Sequence, residues 1–165
     1  MDSQPVPPEY LKAGEDYLAA LRRLGLRPLF LGWGLEMTSK QWLLVMVTSI
    51  IDAGGPLALN RLLFKAYNAE ATPREISPFI VRVYSPEVAP DTLYTLGGKS
   101  LKFVKPSELS DTVSISNMTF TFHDVQYEMI NAYAIPHQKK PTKPNYHAVR
   151  AEWDRFRRNV EKLAA

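Results

Sequence analysis

Four side chains in this sequence are of the types that do acid–base work: Asp52, His123, Asp124 and Glu128. Histidine titrates near neutrality, and a carboxylate beside it can orient it as a general base or join it in a partial metal site. His123 and Asp124 are adjacent, however, and neighbours on a strand point to opposite faces. Their spacing to Glu128 matches no zinc or hydrolase pattern. The plainer expectation is a turn carrying a surface histidine, with Asp52 joining only if the fold brings it near.

Two glycine pairs invite a phosphate reading. Gly97-Gly98-Lys99-Ser100 ends like a phosphate loop, but the glycine needed five positions before Gly98 is Leu93. Leu101–Val104 also reads as strand where that motif requires a helix, so a turn is expected. Gly54-Gly55 stands ahead of a helix whose first N–H groups would suit an anion. Pro56 removes one of those donors and Asp52 repels negative charge, so this too is read as a turn. There is no nucleophile elbow, His-Glu-x-x-His or dinucleotide fingerprint, and no cofactor or metal is expected.

The third chemistry is electrostatic. The net charge of +3 is unevenly placed: residues 135–165 hold eight Lys/Arg against three acids, while the preceding residues hold twelve against fourteen. The isoelectric point of about 9.1 is thus a property of the tail. Lys139, Lys140, Lys143, Arg150, Arg157 and Arg158 could neutralise phosphates, with Tyr146 placed to stack on a base. The duller reading is the charged outer face of any surface helix.

Composition bounds the rest. A chain of 165 residues with 45% hydrophobic and 22% charged residues is expected to form one globular domain with its own core. It holds no cysteine, which rules out disulfides and thiolate chemistry and fits a reducing compartment. The start, Met-Asp-Ser-Gln-Pro, lacks the basic and apolar regions of a signal peptide. The longest apolar run, Trp42–Ile51, falls short of the ~20 residues of a membrane span. A soluble, cytoplasmic protein without membrane contact is expected.

These residues are positioned by a segment from Pro28 to Asn68. Residues 1–8 read as a loose arm whose Pro7 and Pro8 suit a helix start, and the helix that follows carries Tyr10, Gly14, Tyr17, Leu21 and Leu24 on one face and Gly25 at its end. Strand one then sends Leu29, Leu31, Trp33, Leu35 and Met37 to one face and Phe30, Gly32, Gly34 and Glu36 to the other. Glycines inside a strand mark a bulge or a close approach, so Gly32 and Gly34 are expected under a helix or an aromatic, or against a ligand or partner backbone. Strand two, Trp42–Asp52, is apolar on both faces over its first half and should be central in its sheet. Asp52–Pro56 turns the chain into a helix through Asn68, with a narrow polar stripe of Arg61, Lys65 and Asn68.

Beyond it, Phe79–Tyr84 reads as a strand and Pro90 as the start of a helical turn. Leu101–Val104, Val113–Ser116 and Thr119–His123 read as short strands; Val125–Ile135 fits either a helix capped by Asp124 or, continuing the meander, a further strand, which is the reading preferred. Residues 136–144 form a basic, proline-rich linker, and Asn145 caps a last helix over 145–165. Its seam of Tyr146, Val149, Trp153, Phe156, Val160 and Leu163 steps 3, 4, 3, 4, 3 and should pack on the domain, residues 9–135, or on a partner.

The fold expected is α+β: one mixed or mostly antiparallel sheet, a helix–hairpin–helix opening and a C-terminal amphipathic helix. In element order this resembles profilin-like, GAF and roadblock domains, a resemblance that implies a sensor or scaffold role. The leading functional expectation is a non-enzymatic interaction or regulatory domain that self-associates as a homo-oligomer. A nucleic-acid-associated protein using the basic C-terminal segment comes second, and a small enzyme built on Asp52, His123, Asp124 and Glu128 third.

Overall fold

The computed structural model describes residues 6–95, 113–136, 140, 143 and 145–163. Helix α1 (Pro8–Arg23) is followed by the hairpin of β1 (Phe30–Glu36) and β2 (Trp42–Val47), the helices α2 (Ile50–Gly54) and α3 (Pro56–Asn68), and a 3₁₀ turn at Pro78–Ile80 that leads into β3 (Val81–Tyr84). After α4 (Asp91–Tyr94) come β4 (Val113–Phe122), β5 (Val125–Ala134) and α5 (Tyr146–Leu163). The strands form one sheet in the order β3-β2-β1-β5-β4, parallel between β2 and β3 and antiparallel elsewhere. This is the α+β, mixed-sheet architecture that the sequence implies.

Period-two patterning sorts the two hairpin strands into two cores. Leu31, Trp33, Leu44 and Met46 lie in one core with Tyr17 and Leu21 of α1, Leu59 and Leu63 of α3, and Trp153, Phe156 and Val160 of α5. On the opposite face Phe30, Leu43, Val45 and Val47 meet Phe120, Phe122, Tyr127 and Met129 of the β4–β5 hairpin and Leu93 of α4. Both sides of β2 are therefore covered, as its double apolar face required.

The second core is enclosed because the sheet curls. Tyr84 on one edge strand stacks on Phe122 of the other, with ring centroids 4.5 Å apart, and its hydroxyl bonds Tyr127 at 2.5 Å. Four strand spacings would separate those edges by about 19 Å in a flat sheet. The curl has a local origin. The β1–β5 register slips at Leu31/Gly32 and again at Trp33/Gly34, and bulges bend and twist the strand that carries them. A Cβ on Gly32 would stand 2.6 Å from the Asn131 carbonyl oxygen, and one on Gly34 2.7 Å from Met129 Sδ. The close approach to these glycines is made by β5 of the same chain.

Helix α1 is pinned to the sheet through Trp33. Its indole N–H donates to the Tyr10 carbonyl at 3.0 Å and to the Tyr133 hydroxyl at 3.1 Å, while Tyr10 stacks on the ring at 4.9 Å. The Tyr133 hydroxyl in turn donates to the Leu11 carbonyl at 2.7 Å, its ring filling the space that a side chain at Gly14 would need. Helix α5 packs in cis. Trp153, Phe156 and Val160 are buried, Val149 is half-buried, and Tyr146 and Leu163 remain exposed. Glu152 accepts the Arg27 N–H at 3.0 Å, Arg155 donates to the Gly25 carbonyl at 3.3 Å and Asn159 to the Leu24 carbonyl at 2.9 Å. Asn145 caps the helix, accepting from the Ala148 N–H at 3.2 Å.

Three expectations on element bounds are corrected. Strand two ends at Val47, so Asp52 lies in α2 and not at a strand end. The Thr48 N–H closes the β2–β3 ladder on the Tyr84 carbonyl and its hydroxyl then accepts the Ile50 N–H, starting a helical turn in a run whose β-branched residues favour strand. Phe79 belongs to the 3₁₀ turn, whose first residue is a proline and whose Ser77 hydroxyl accepts the Phe79 N–H. Val113–Ser116 and Thr119–His123 are parts of one strand with an irregular ladder between Ser114 and Met118, closed by a turn in which His123 takes φ 53°. Val125–Ala134 is a strand, as expected, while Leu101–Val104 and Gly97–Ser100 lie outside the described residues.

The packing of α5 on α2 rests on Gly54, where a Cβ would stand 2.2 Å from the Trp153 ring. An exposed helical Gly→Ala change gains about 1 kcal/mol. Here Gly54→Ala is expected to lose about 1–3 kcal/mol by overpacking, measured by urea unfolding. In a Trp153→Ala background most of that loss should vanish; an equal loss in both backgrounds would refute the contact.

Candidate functional sites

The sheet register separates the acid–base candidates. Phe30 pairs with Val47 and Leu31 with Ala134 at one end, whereas Glu36 pairs with Tyr127 and Phe122 with Val125 at the other. Asp52 follows β2 at the first end, and His123 and Asp124 form the hairpin tip at the second. Glu128 sits on β5 opposite Leu35 and Thr119. Among the described residues no hydrogen bond joins any two of these four side chains. Among the described residues neither His123 nor His147 makes a side-chain hydrogen bond or ion pair, and no three His, Asp or Glu side chains are grouped to hold a metal.

Asp52 instead lines a cleft of about 450 Å³ with Ala53, Glu87, Tyr146, His147, Val149 and Arg150. The parallel β2–β3 pairing creates it by setting the chain after Tyr84 beside α2. The Ser85 hydroxyl ties both acids, accepting the Glu87 N–H at 3.2 Å and donating to Asp52 Oδ2 at 2.8 Å. Lys140 Nζ holds the same loop through the Glu87 and Ala89 carbonyls, each at 3.1 Å. Carboxylates on one wall and Arg150 on the other can bind polar groups. Ser85 donates its hydrogen bond to Asp52, and among the described residues no imidazole bonds it. Sequence reasoning singled out Asp52 apart from Tyr146, Val149 and Arg150 without joining it to them, and missed Ser85 and Glu87.

A second groove, of about 370 Å³, runs between α3 and the chain entering β3. Leu59 and Phe64 line one wall, Pro78, Phe79 and Val83 the other, and Arg82 is the one charged residue that lines it. Phe79 packs edge-on against Phe64, ring centroids 4.9 Å apart, yet is 75% exposed. Leu57, two turns before Phe64 on the same face of α3, is 64% exposed. Sequence periodicity placed Phe79 in a strand, and nothing local showed that its ring would be bare.

The basic residues of the tail are largely engaged within the chain. Arg150 and Arg157 reach Asp154 at 3.6 and 3.5 Å, and Arg158 donates to the Asp154 carbonyl at 3.3 Å. Lys140 also lies 3.9 Å from Asp91, Lys143 is exposed, and Lys139 lies outside the described residues. The N-terminal part of α5, which forms one wall of the charged cleft, is held in place by the Glu152–Arg27 latch. No protein-family model, curated protein or solved structure matches the chain.

Burial raises the Glu152 carboxyl above its ordinary value, partly opposed by the Arg27 N–H and by Arg155 and Arg27. A raised native pKa contributes stability in full below the unfolded value of about 4.3, and this contribution is lost as pH rises through the native value. Glu152→Gln, which keeps an acceptor for Arg27, should therefore gain stability relative to the parent between pH 4 and pH 7. Urea unfolding at the two pH values reads the difference; a relative loss at pH 7 would reverse the sign. Half-exposure of the group keeps the effect small.

Proposed function

We propose that this chain is a non-enzymatic protein-interaction domain that docks a partner through the groove between α3 and β3. One observation carries the reading: Phe79, a large apolar ring packed on Phe64 in the groove wall, is three-quarters exposed. Exposed apolar surface of this kind marks interaction sites, and burying a phenylalanine or leucine is worth about 1.5–3 kcal/mol each. Phe79 and Leu57 together would supply the anchors of a small interface. That no hydrogen bond joins Asp52, His123 and Asp124 among the described residues supports a binding role over an acid–base one.

The partner is a different protein rather than a second copy. The C-terminal seam from which self-association was expected is taken up in cis by Trp153, Phe156 and Val160. The α3 face beside the groove carries Arg61 and Lys65, exposed, and the groove itself Arg82. A two-fold contact through this face would bring like charges together. The nucleic-acid reading loses support for a similar reason, since most of its described basic side chains have intramolecular partners.

Phe79→Asp is expected to cost no more than about 1.5 kcal/mol of unfolding stability, the worth of its aromatic pair with Phe64. A loss above about 1.5 kcal/mol in urea unfolding would make Phe79 a structural anchor and defeat the docking assignment. Light scattering after size exclusion should give a monomer at micromolar concentration. A dimer that Phe79→Asp splits would put a second copy in the groove instead.

A further inference from the structure

Resting on that interaction reading, we infer that the groove takes an amphipathic helical segment of a partner whose apolar face is flanked by a carboxylate. The free edge of β3 is where strand addition would ordinarily occur. The Tyr84 carbonyl accepts the Thr48 N–H, so the amides of Tyr84 and Arg82 face β2 and those of Val81 and Val83 face outward. The Val81 N–H is taken by the Pro78 carbonyl, and the Val81 carbonyl accepts from Arg82 Nη1 at 3.3 Å. Only Val83 remains to pair a ladder, and Pro78 and Pro86 stand on either side of the strand. An extended segment laid here would bury its own unpaired amides against apolar walls, at about 1–3 kcal/mol per group. A helix satisfies its own backbone and offers side chains at i, i+3 and i+7 to a groove.

Charge selects the second feature. Arg82 is half-buried in the groove wall, its guanidinium fixed by Nη1 donating to the Phe79 carbonyl at 2.7 Å and to that of Val81. A guanidinium carries five N–H donors, and among the described residues no carboxylate pairs with this one. Arg61 and Lys65 stand one turn apart on the adjoining face of α3. A carboxylate on the occupant would complete Arg82 with charge-assisted hydrogen bonds, which are shorter and stronger than neutral ones. Phe79 and Arg82, whose guanidinium bonds the Phe79 carbonyl, thus ask for an apolar side chain and an acid close together on the occupant.

The experiment selects random 16-residue peptides displayed on phage against the immobilised full chain, with the Phe79→Asp chain for subtraction. The expected winners carry Leu, Phe or Trp at helical spacing with Asp or Glu close by. They should bind the Arg82→Met chain about tenfold or more weakly, as loss of a charge-assisted pair implies. Arg82→Met keeps the aliphatic stem, and its melting curve confirms folding; Arg82→Glu should shift selection toward Lys- and Arg-bearing peptides. Winners without acidic enrichment, or with unchanged affinity for Arg82→Met, overturn the charge inference and leave the docking groove standing. Winners with apolar residues at alternate positions overturn the helix and make the occupant extended. If no peptide survives subtraction by Phe79→Asp, the interaction reading itself falls.

Discussion

A hairpin with two apolar faces has to be covered twice, and the remainder of this fold is arranged around that constraint. One face of β1–β2 is served by helices: α1 through the Trp33–Tyr133 bonds, α3 through its leucines, and α5 through Trp153, Phe156 and Val160. The other face is served by the sheet itself, which curls until Tyr84 and Phe122 meet. The two covers are linked through β5. Tyr133 reaches the helical side, while Tyr127 and Met129 fill the concave side. Burial, and then the bond to Tyr84, raise the Tyr127 phenol well above its ordinary value.

What could be read from the sequence was what local periodicity encodes. The alternation of Leu31 and Trp33 with Phe30, Gly32 and Gly34 fixes two faces, and Gly25 and Asn145 mark helix ends by their own chemistry. Gly32 and Gly34 announce a close approach, but the approaching residues, Tyr127, Met129 and Asn131, lie some hundred positions further along the chain. The end of β2 was hidden for another reason. Thr48-Ser49-Ile50-Ile51 favours strand locally, and it is the contact with Tyr84, set by the parallel β3, that stops the ladder.

The candidate sites were legible only in fragments. Asp52 and Arg150 stood out by type, but Ser85 and Glu87, which complete the charged cleft, arrive by the same parallel pairing. Phe79 looked like one more strand residue, because exposure depends on what the fold leaves uncovered. Conversely, the C-terminal seam had the spacing of an association surface and is an intramolecular one: Gly54, with no side chain, leaves room for the Trp153 ring. Seam spacing alone does not say whose surface fills it.

The meeting of the two sheet edges has a mechanical consequence. Tyr84 and Phe122 close the concave side with rings and a hydroxyl, not with backbone hydrogen bonds. An aromatic pair is worth about 0.5–1.5 kcal/mol beyond its burial, far less than parting a ladder between strands. The sheet therefore behaves as a clasp: stiff along every ladder and weak at one closure. That closure lies at Tyr84, next along the chain to Val83 in the groove wall. A load applied to β3 from the groove side would reach the clasp before it reached any hydrogen-bonded strand pair beyond β2.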